Sequence, residues 1–434
     1  MLDDVVAVVR SHARISEYAA TEVRVRRARH ANGSVATTDE LAVHIALHVD
    51  HANGRGSATA VVLPHQRGEI RAIVTAALQH AMRAREPLWA LPAPAAPARV
   101  DVFDPAAGDD VSKAAFAVER SIERALDANG AVADAAGETL RASLAVDVAR
   151  TDTRVETSAG FRGEFAATLA RVSGTLAPIG RVDQPMTARV DLSRRRLEEL
   201  AIDDQLLAAG RRLRSRRRAG APEPGRYDVA LAAGALRPRD TGFGWFEPIV
   251  AQADGETARL GLSRYLPGQP LFGGGAAGDP LTIRSDGTLP FAPLSQPFGD
   301  CGAPVRRFAL IDRGVAAGLA LDVREAALLG EQPNGGVRNL VVDPGSQRDE
   351  QLREAGGRPL LRVRRLASLD IEPRTGAFAA EIAAATIGRD PIRGGVLRGN
   401  VFESSGTSRM SKEVADEGWY LGPAWLRLYD VELV

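Results

Sequence analysis

The residues best suited to chemistry are few and scattered. His44, His48 and His51 form the one histidine cluster, and an HxxxH spacing can hold zinc when a helix brings both imidazoles to one side. Here, however, ELAVHIALHVD at 40–50 alternates as a strand, with Leu41, Val43, Ile45, Leu47 and Val49 on one face and Ala42, His44, Ala46 and His48 on the other. Residues four apart on a strand are separated by roughly 13 Å, so these histidines read as polar residues on a solvated or partner-facing sheet surface. Cys301 is the only cysteine, which excludes an intrachain disulfide and any multi-thiolate metal site. A nucleophilic thiol wants a neighbouring base, and all seven histidines lie at or before residue 80. GLSRY at 261–265 has Tyr265 where a nucleophile elbow needs its second glycine. Gly273-Gly274-Gly275 lacks the lysine of a phosphate loop and reads as a surface loop facing a partner or substrate. Arg211, Arg212, Arg214, Arg216, Arg217 and Arg218 make a dense basic run without interleaved aromatics, which reads as a solvated helix end.

The elements that must position these residues divide the chain in two. Val5, Val6, Val8, Val9 and Ile15 predict an opening helix within 2–20, and 21–29, 40–50 and 57–63 predict strands of a small antiparallel sheet. A helix follows at 69–85, then a proline-rich extended connector, a helix at 111–136, strands around a turn at Gly160, and a helix at 197–218. Pro222, Pro224 and Gly225 mark a boundary, so the expected organisation is an N-terminal α/β domain over 1–220 and a mainly β domain over 221–434, an α+β chain overall. Beyond the boundary strands dominate, with a short helix at 323–329.

Formal net charge is zero, which gives no global electrostatic case for nucleic acid or an anionic membrane. No apolar run is long enough for a membrane span, and the first twenty residues lack the pattern of a signal peptide. A reducing cytoplasm is the expected location.

Three glycine-marked segments stand in order in the last third: PNGGVRNLVV at 333–342, PRTGAFAAEI at 373–382 and GGVLRGNVFE at 394–403. Asn334-Gly335-Gly336 and Thr375-Gly376 read as turns between strands, because glycine accepts positive φ. Asn339, Thr375, Gly376, Phe378 and Asn400 stand near strand ends, where amides and hydroxyls could hold an extended peptide or a partner strand. With GRYDVALAAGAL at 225–236 and FALIDRGVAAGL at 308–319, these segments resemble the TldD/PmbA (TldE) family.

One branch of that family resembles a zinc peptidase, with a helical HExxxH motif just after the segment that reads here YDVALAAGAL. The corresponding stretch, RPRDTGFGWFEPIVAQADGE at 237–256, contains no histidine; Glu247 is the nearest relic, and Pro248 opposes a regular helix interior there. The zinc branch also carries a ligand cysteine near its end, and this tail has none. The resemblance is therefore to the zinc-less TldE/PmbA-type subunit. It implies a C-terminal domain folded as a curved sheet or barrel-like sandwich, no cofactor in this chain, zinc in a TldD-like partner, and a chain inactive on its own. The implied function is a subunit of a heteromeric metallopeptidase acting on small or unfolded peptides, such as a natural-product precursor or a leader peptide. Older names for the family invoke DNA gyrase, to which this sequence gives no support. Two other readings remain: a stand-alone peptide-binding or regulatory protein, and a hydrolase using Cys301 or the strand histidines.

Overall fold

The computed structural model describes residues 1–31, 33–134, 140–178, 187–216, 219–238, 242–272, 278–299, 301–354 and 357–434. The first half is built on one antiparallel sheet of β1 (Glu17–Ala31), β2 (Ser34–His51), β3 (Gly54–Val62), β4 (Leu140–Thr157), β5 (Arg162–Pro178) and β6 (Ala188–Arg194), ordered β3-β2-β1-β4-β5-β6. The alternation read from 40–50 is seen in β2, where Val43, Ile45, Leu47 and Val49 are buried. Helices α1 (Leu2–Arg10) and α2 (Ile70–Arg83) cover the β1–β3 end. The short α3 (Pro105–Gly108) leads into α4 (Val111–Asp134), which with α5 (Ile202–Arg216) covers β4–β6. Ala20 meets the first helix layer and Ala28 the second. Eight residues apart on β1, they share a face, so both helix pairs lie on the same side of the sheet.

The helix expected over 197–218 is interrupted. A short 3₁₀ turn at Glu198–Leu200 ends at Ala201, whose φ of 45° is left-handed, and α5 begins only at Ile202. The proline-rich connector crosses to the second half, where Ala98 N–H donates to Pro297 O and Asp101 O accepts from Phe291 N–H.

In the second half β7 (Gly225–Ala232) precedes α6 (Glu247–Gln252) and α7 (Gly255–Arg259). A sheet then forms from β8 (Ile283–Asp286), β9 (Arg307–Asp312), β10 (Val315–Ala316), α8 (Val323–Leu329) passing beside it, and β11 (Asn339–Val342). After α9 (Asp349–Leu352) come β12 (Leu360–Ile371), β13 (Ala377–Ile387), β14 (Asp390–Ile392), β15 (Val396–Asn400) and α10 (Val401–Thr407). The short β16 (Arg409–Met410), β17 (Val414–Asp416), β18 (Tyr420–Pro423) and β19 (Trp425–Leu433) complete the half. The sheet order is β10-β9-β8-β11-β18-β17. The other strands run β12-β7-β19-β15-β13, and β12 pairs again with β13, so five strands close into a barrel. Closure needs a bend, and the β12–β13 register shifts repeatedly between Val363 and Ser368. One core fills the space between sheet and barrel, with Trp245, Phe246 and Ile249 inside it. Full burial of each such side chain contributes about 1.5–3 kcal/mol.

Candidate functional site

The segment at the place of the zinc motif is a short turn and helix. Gly244–Phe246 makes a 3₁₀ turn and α6 follows for six residues, with Pro248 in its first turn, where the missing amide costs nothing. Glu247 Oε2 accepts from Phe243 N–H at 2.6 Å, tying the carboxylate to the turn that precedes it. Among the described residues no group of three or more His, Cys, Asp or Glu side chains converges as metal ligands. The residues present here do not fit a zinc site.

The other end of α6 joins four of the residues singled out in the sequence. Gln252 is buried; its Nε2 donates to Arg374 O at 3.3 Å, and its Oε1 accepts from Arg264 N–H at 2.7 Å. The turn it holds continues into Thr375 and Gly376. Asn400 Nδ2 donates to Thr375 O at 2.8 Å, while Asn400 Oδ1 caps α10 through Phe402 N–H at 2.9 Å. Gly376 has φ +77°, and a Cβ there would lie 2.6 Å from Phe402 Cδ2. Phe378 packs edge-on against Trp245, with ring centroids 5.0 Å apart. Glu372 accepts from the Arg374 and Thr375 N–H groups, and its bonds to Thr375 hold its carboxyl below the usual range. Thr375, Gly376, Phe378 and Asn400 thus form one cluster, tied together by hydrogen bonds and packing. Arg264 stacks over Phe402 at 4.9 Å at its edge.

Asn339 lies elsewhere, fully buried. Its Oδ1 accepts from Leu294 N–H at 3.0 Å and its Nδ2 donates to Asp286 O at 2.8 Å and Ser295 Oγ at 2.9 Å. Its amide fixes the loop 294–295 against β8.

The histidines also diverge. His44 is exposed, and His51 Nε2 meets Arg85 Nη1 at 2.9 Å. His48, expected on a solvated or partner-facing sheet surface, is buried beneath Trp89 of the proline-rich connector, with ring centroids 4.7 Å apart. Its Nδ1 contacts Ser57 Oγ at 3.1 Å, and burial, followed by the charge of Arg55, pulls its pKa down to about 4. Arg55 is buried beside it, paired with Glu17 and Asp50. Cys301 is half-buried in a turn closed by Gly299 N–H to Ala303 O. Gly273-Gly274-Gly275 and the side chains of Arg214, Arg216, Arg217 and Arg218 lie outside the described residues.

One feature escapes sequence reasoning altogether. A cleft of about 230 Å³ opens between the β6 edge, α5 and the bulged wall of the barrel, lined by Arg189, Asp191, Arg212, Pro238, Arg365 and small apolar residues of β12 and β13. Arg212, read as part of a solvated helix end, instead lines this cleft. The β12 and β13 residues that line it opposite Arg212 lie roughly 150–170 residues away in sequence, and no local pattern announces that meeting.

The second-half fold and its segment order are those of a metallopeptidase-related C-terminal domain: residues 245–429 match the family model of the PmbA/TldA metallopeptidase C-terminal domain. That match covers the C-terminal part, under half of the chain, and by it this part is similar to the TldD/PmbA family. The whole fold is similar to that of TldE from Thermococcus kodakarensis, at 16% identity and TM-score 0.77, covering 100% of this chain and 99% of that one. It is also similar to a proposed modulator of a DNA gyrase from Thermotoga maritima, at 14% identity and TM-score 0.78, with 100% and 99% coverage. A third such likeness, to a proposed modulator of DNA gyrase from Bacteroides thetaiotaomicron, has 15% identity, TM-score 0.76 and covers 100% and 96%. No curated protein matches the chain. No described helix is long and apolar enough to cross a membrane.

Proposed function

We propose that this chain is a non-catalytic, TldE-like subunit of a heteromeric zinc metallopeptidase in the cytoplasm. It closes the peptide cavity and holds peptide in extended form, while hydrolysis takes place at a partner's zinc. The observation that carries the reading is Glu247: the one carboxylate at the motif position caps a turn on a six-residue helix, in a segment without a histidine. The family description as a metallopeptidase supplies the reaction class.

The test is a native mass determination with zinc analysis on the tagged protein isolated from its own host. The expected result is a complex with a second chain of similar size bearing HExxxH, about one zinc per complex, and peptide hydrolysis lost to a chelator. A zinc-free homo-oligomer refutes the subunit role and leaves the chain as a stand-alone peptide-binding or regulatory protein.

A further inference from the structure

The outer edge of β2 is covered along only part of its length. β2 pairs with β1 from Ser34 to His48, but β3 pairs with it only from Val43 onward. From Ser34 to Ala42 the other edge has no strand beside it among the described residues, and no isolated bridge or loop bond reaches its backbone. Every second residue of such a strand turns its N–H and C=O outward. Ser34 through Glu40 are all exposed, Val35 at 61%.

Open edges usually carry a proline, a lysine or a bulge that forbids further pairing. SVATTDELA at 34–42 has no proline, lysine or glycine, and the β1–β2 register runs without a shift. Val35, Thr37 and Thr38 favour the extended backbone. Two polar side chains of the segment are engaged within their own hairpin: Ser34 Oγ donates to Ala31 O, and Asp39 Oδ1 accepts from Arg24 Nε at 2.8 Å.

The order of residues along the edge says what fits it. An antiparallel copy of the same strand centred on Thr38 sets Val35 against Leu41, Ala36 against Glu40, Thr37 against Asp39 and Thr38 against itself. An apolar pair then closes each end, hydroxyls meet in the middle, and no charge faces a like charge. The two Asp39 carboxylates become diagonal neighbours roughly 7–8 Å apart, each offset by the Arg24 of its own chain. Centring on Asp39 would put those carboxylates face to face, and centring on Thr37 would put Val35 against Asp39. The Thr38 register also ends at Leu41, before Val43, where β3 takes the edge.

We propose that the free edge of β2, Val35–Leu41, is a self-association surface, on which a second copy of this chain adds its own β2 antiparallel about Thr38 and joins the two first-half sheets into one. The pairing makes about six to eight main-chain hydrogen bonds over roughly 24 Å. It buries little else, which gives a dissociation constant on the order of 10–100 µM. At the dilution of a native mass measurement such a pair is apart, so the inference goes beyond the subunit reading and does not depend on it.

The test is sedimentation equilibrium of the full-length protein between about 5 and 500 µM, either side of that constant, together with disulfide formation by cysteine variants made in Cys301→Ser. Wild type should pass from monomer to dimer across the range. Thr38→Lys, at an exposed position where folding is not at risk, should weaken the pairing about fivefold by setting two ammonium groups face to face. Thr38→Cys should form a dimer disulfide under mild oxidation, because opposed residues of antiparallel strands lie about 4.5–5.5 Å apart at Cα, within reach of that bond. Glu40→Cys, opposite Ala36 of the other copy, should form one at least about tenfold more slowly, its counterpart lying roughly 13 Å along the strand. A wild type that stays monomeric throughout overturns the proposal and leaves the edge to a strand of a different chain. Equal crosslinking of the two cysteine variants overturns the register and the proposal with it. Self-association that survives Thr38→Lys and yields no Thr38→Cys disulfide places the contact elsewhere and overturns it as well.

Discussion

Arg195 sits just beyond β6 with its guanidinium almost wholly buried and, among the described residues, no carboxylate paired with it. It donates instead to backbone carbonyls of both halves: Nε to Ala292 O at 2.8 Å, Nη2 to Pro293 O and Ser295 O at 2.8 Å each, and Nη1 to Thr168 O at 3.2 Å and Val102 O at 3.4 Å. Burial lowers its pKa to about 10, which corresponds to about 3 kcal/mol against the charged form. Arg195→Met removes that penalty together with the bonds. Val102 O and Ala292 O keep backbone donors, from Thr168 N–H and Ser295 N–H, whereas Pro293 O and Ser295 O lose a charged donor in the interior. Two such groups, each losing a charged donor at about 2–3 kcal/mol, cost about 4–6 kcal/mol, and relief of the burial penalty brings the net loss to about 1–3 kcal/mol. Arg195→Lys keeps the charge but offers three donors from one atom, and should lose about 2 kcal/mol. The assay is urea unfolding by circular dichroism combined with native-state hydrogen exchange of Leu294, Ser295 and Gln296. Exchange there should accelerate at least tenfold for every 1.4 kcal/mol lost locally. An Arg195→Met protein within about 0.5 kcal/mol of wild type, with unchanged exchange at those amides, would refute the idea that this guanidinium clamps the halves together.

Further predictions rest on other sites. His48 has a depressed folded pKa, with burial and then Arg55 lowering it and Glu17 and Asp50 opposing, so the unfolded chain takes up the proton first. Stability should be intact above pH 6.5 and fall by about 3 kcal/mol as pH drops toward 4; a urea-midpoint profile showing the same acid loss in His48→Gln would assign it to other groups. Asp228 and Arg427 form a buried pair at 2.8 Å inside the barrel wall. Asp228→Ala should cost about 3–5 kcal/mol by leaving a buried charge, and the double variant with Arg427→Met should recover part of it, as read from the thermal midpoint. Gly376→Ala should cost about 1–3 kcal/mol, from a left-handed backbone and the clash with Phe402, measured the same way. If Gly376→Ala is neutral, the packing of the 373–376 turn on α10 is not what holds that cluster.

What could be read from the sequence was whatever a short window determines. The alternation of β2, the helix at 323–329 and the turn at Gly376 follow from periodicity and glycine chemistry, and the place of Asn400 near a strand end is equally local. The burial of His48 was hidden because its cover, Trp89, comes from the proline-rich connector and not from a neighbouring strand. Asn339 looked available because an amide at a strand end has several possible partners, and only the loop 294–295 decides which it takes. Ala201 breaks the helix where composition gives no warning, since alanine is the best helix former. The arginine cleft needs β6, α5 and β12 in one place, and no local pattern encodes that meeting.

The barrel's closure sets a timetable for the growing chain. β7 lies between β12 and β19, and Asp228 and Arg427 across one of those seams are 199 residues apart. At roughly 5–20 residues per second, a ribosome that has delivered β7 needs on the order of 10–40 s more before β19 can take its place beside it. Throughout that interval Val229 and Leu231, which end in the core, have no finished wall to shelter them. A nascent chain in this state is a natural client for a chaperone that shields apolar strands, and codon choices that slow synthesis between β7 and β19 should lower the soluble yield.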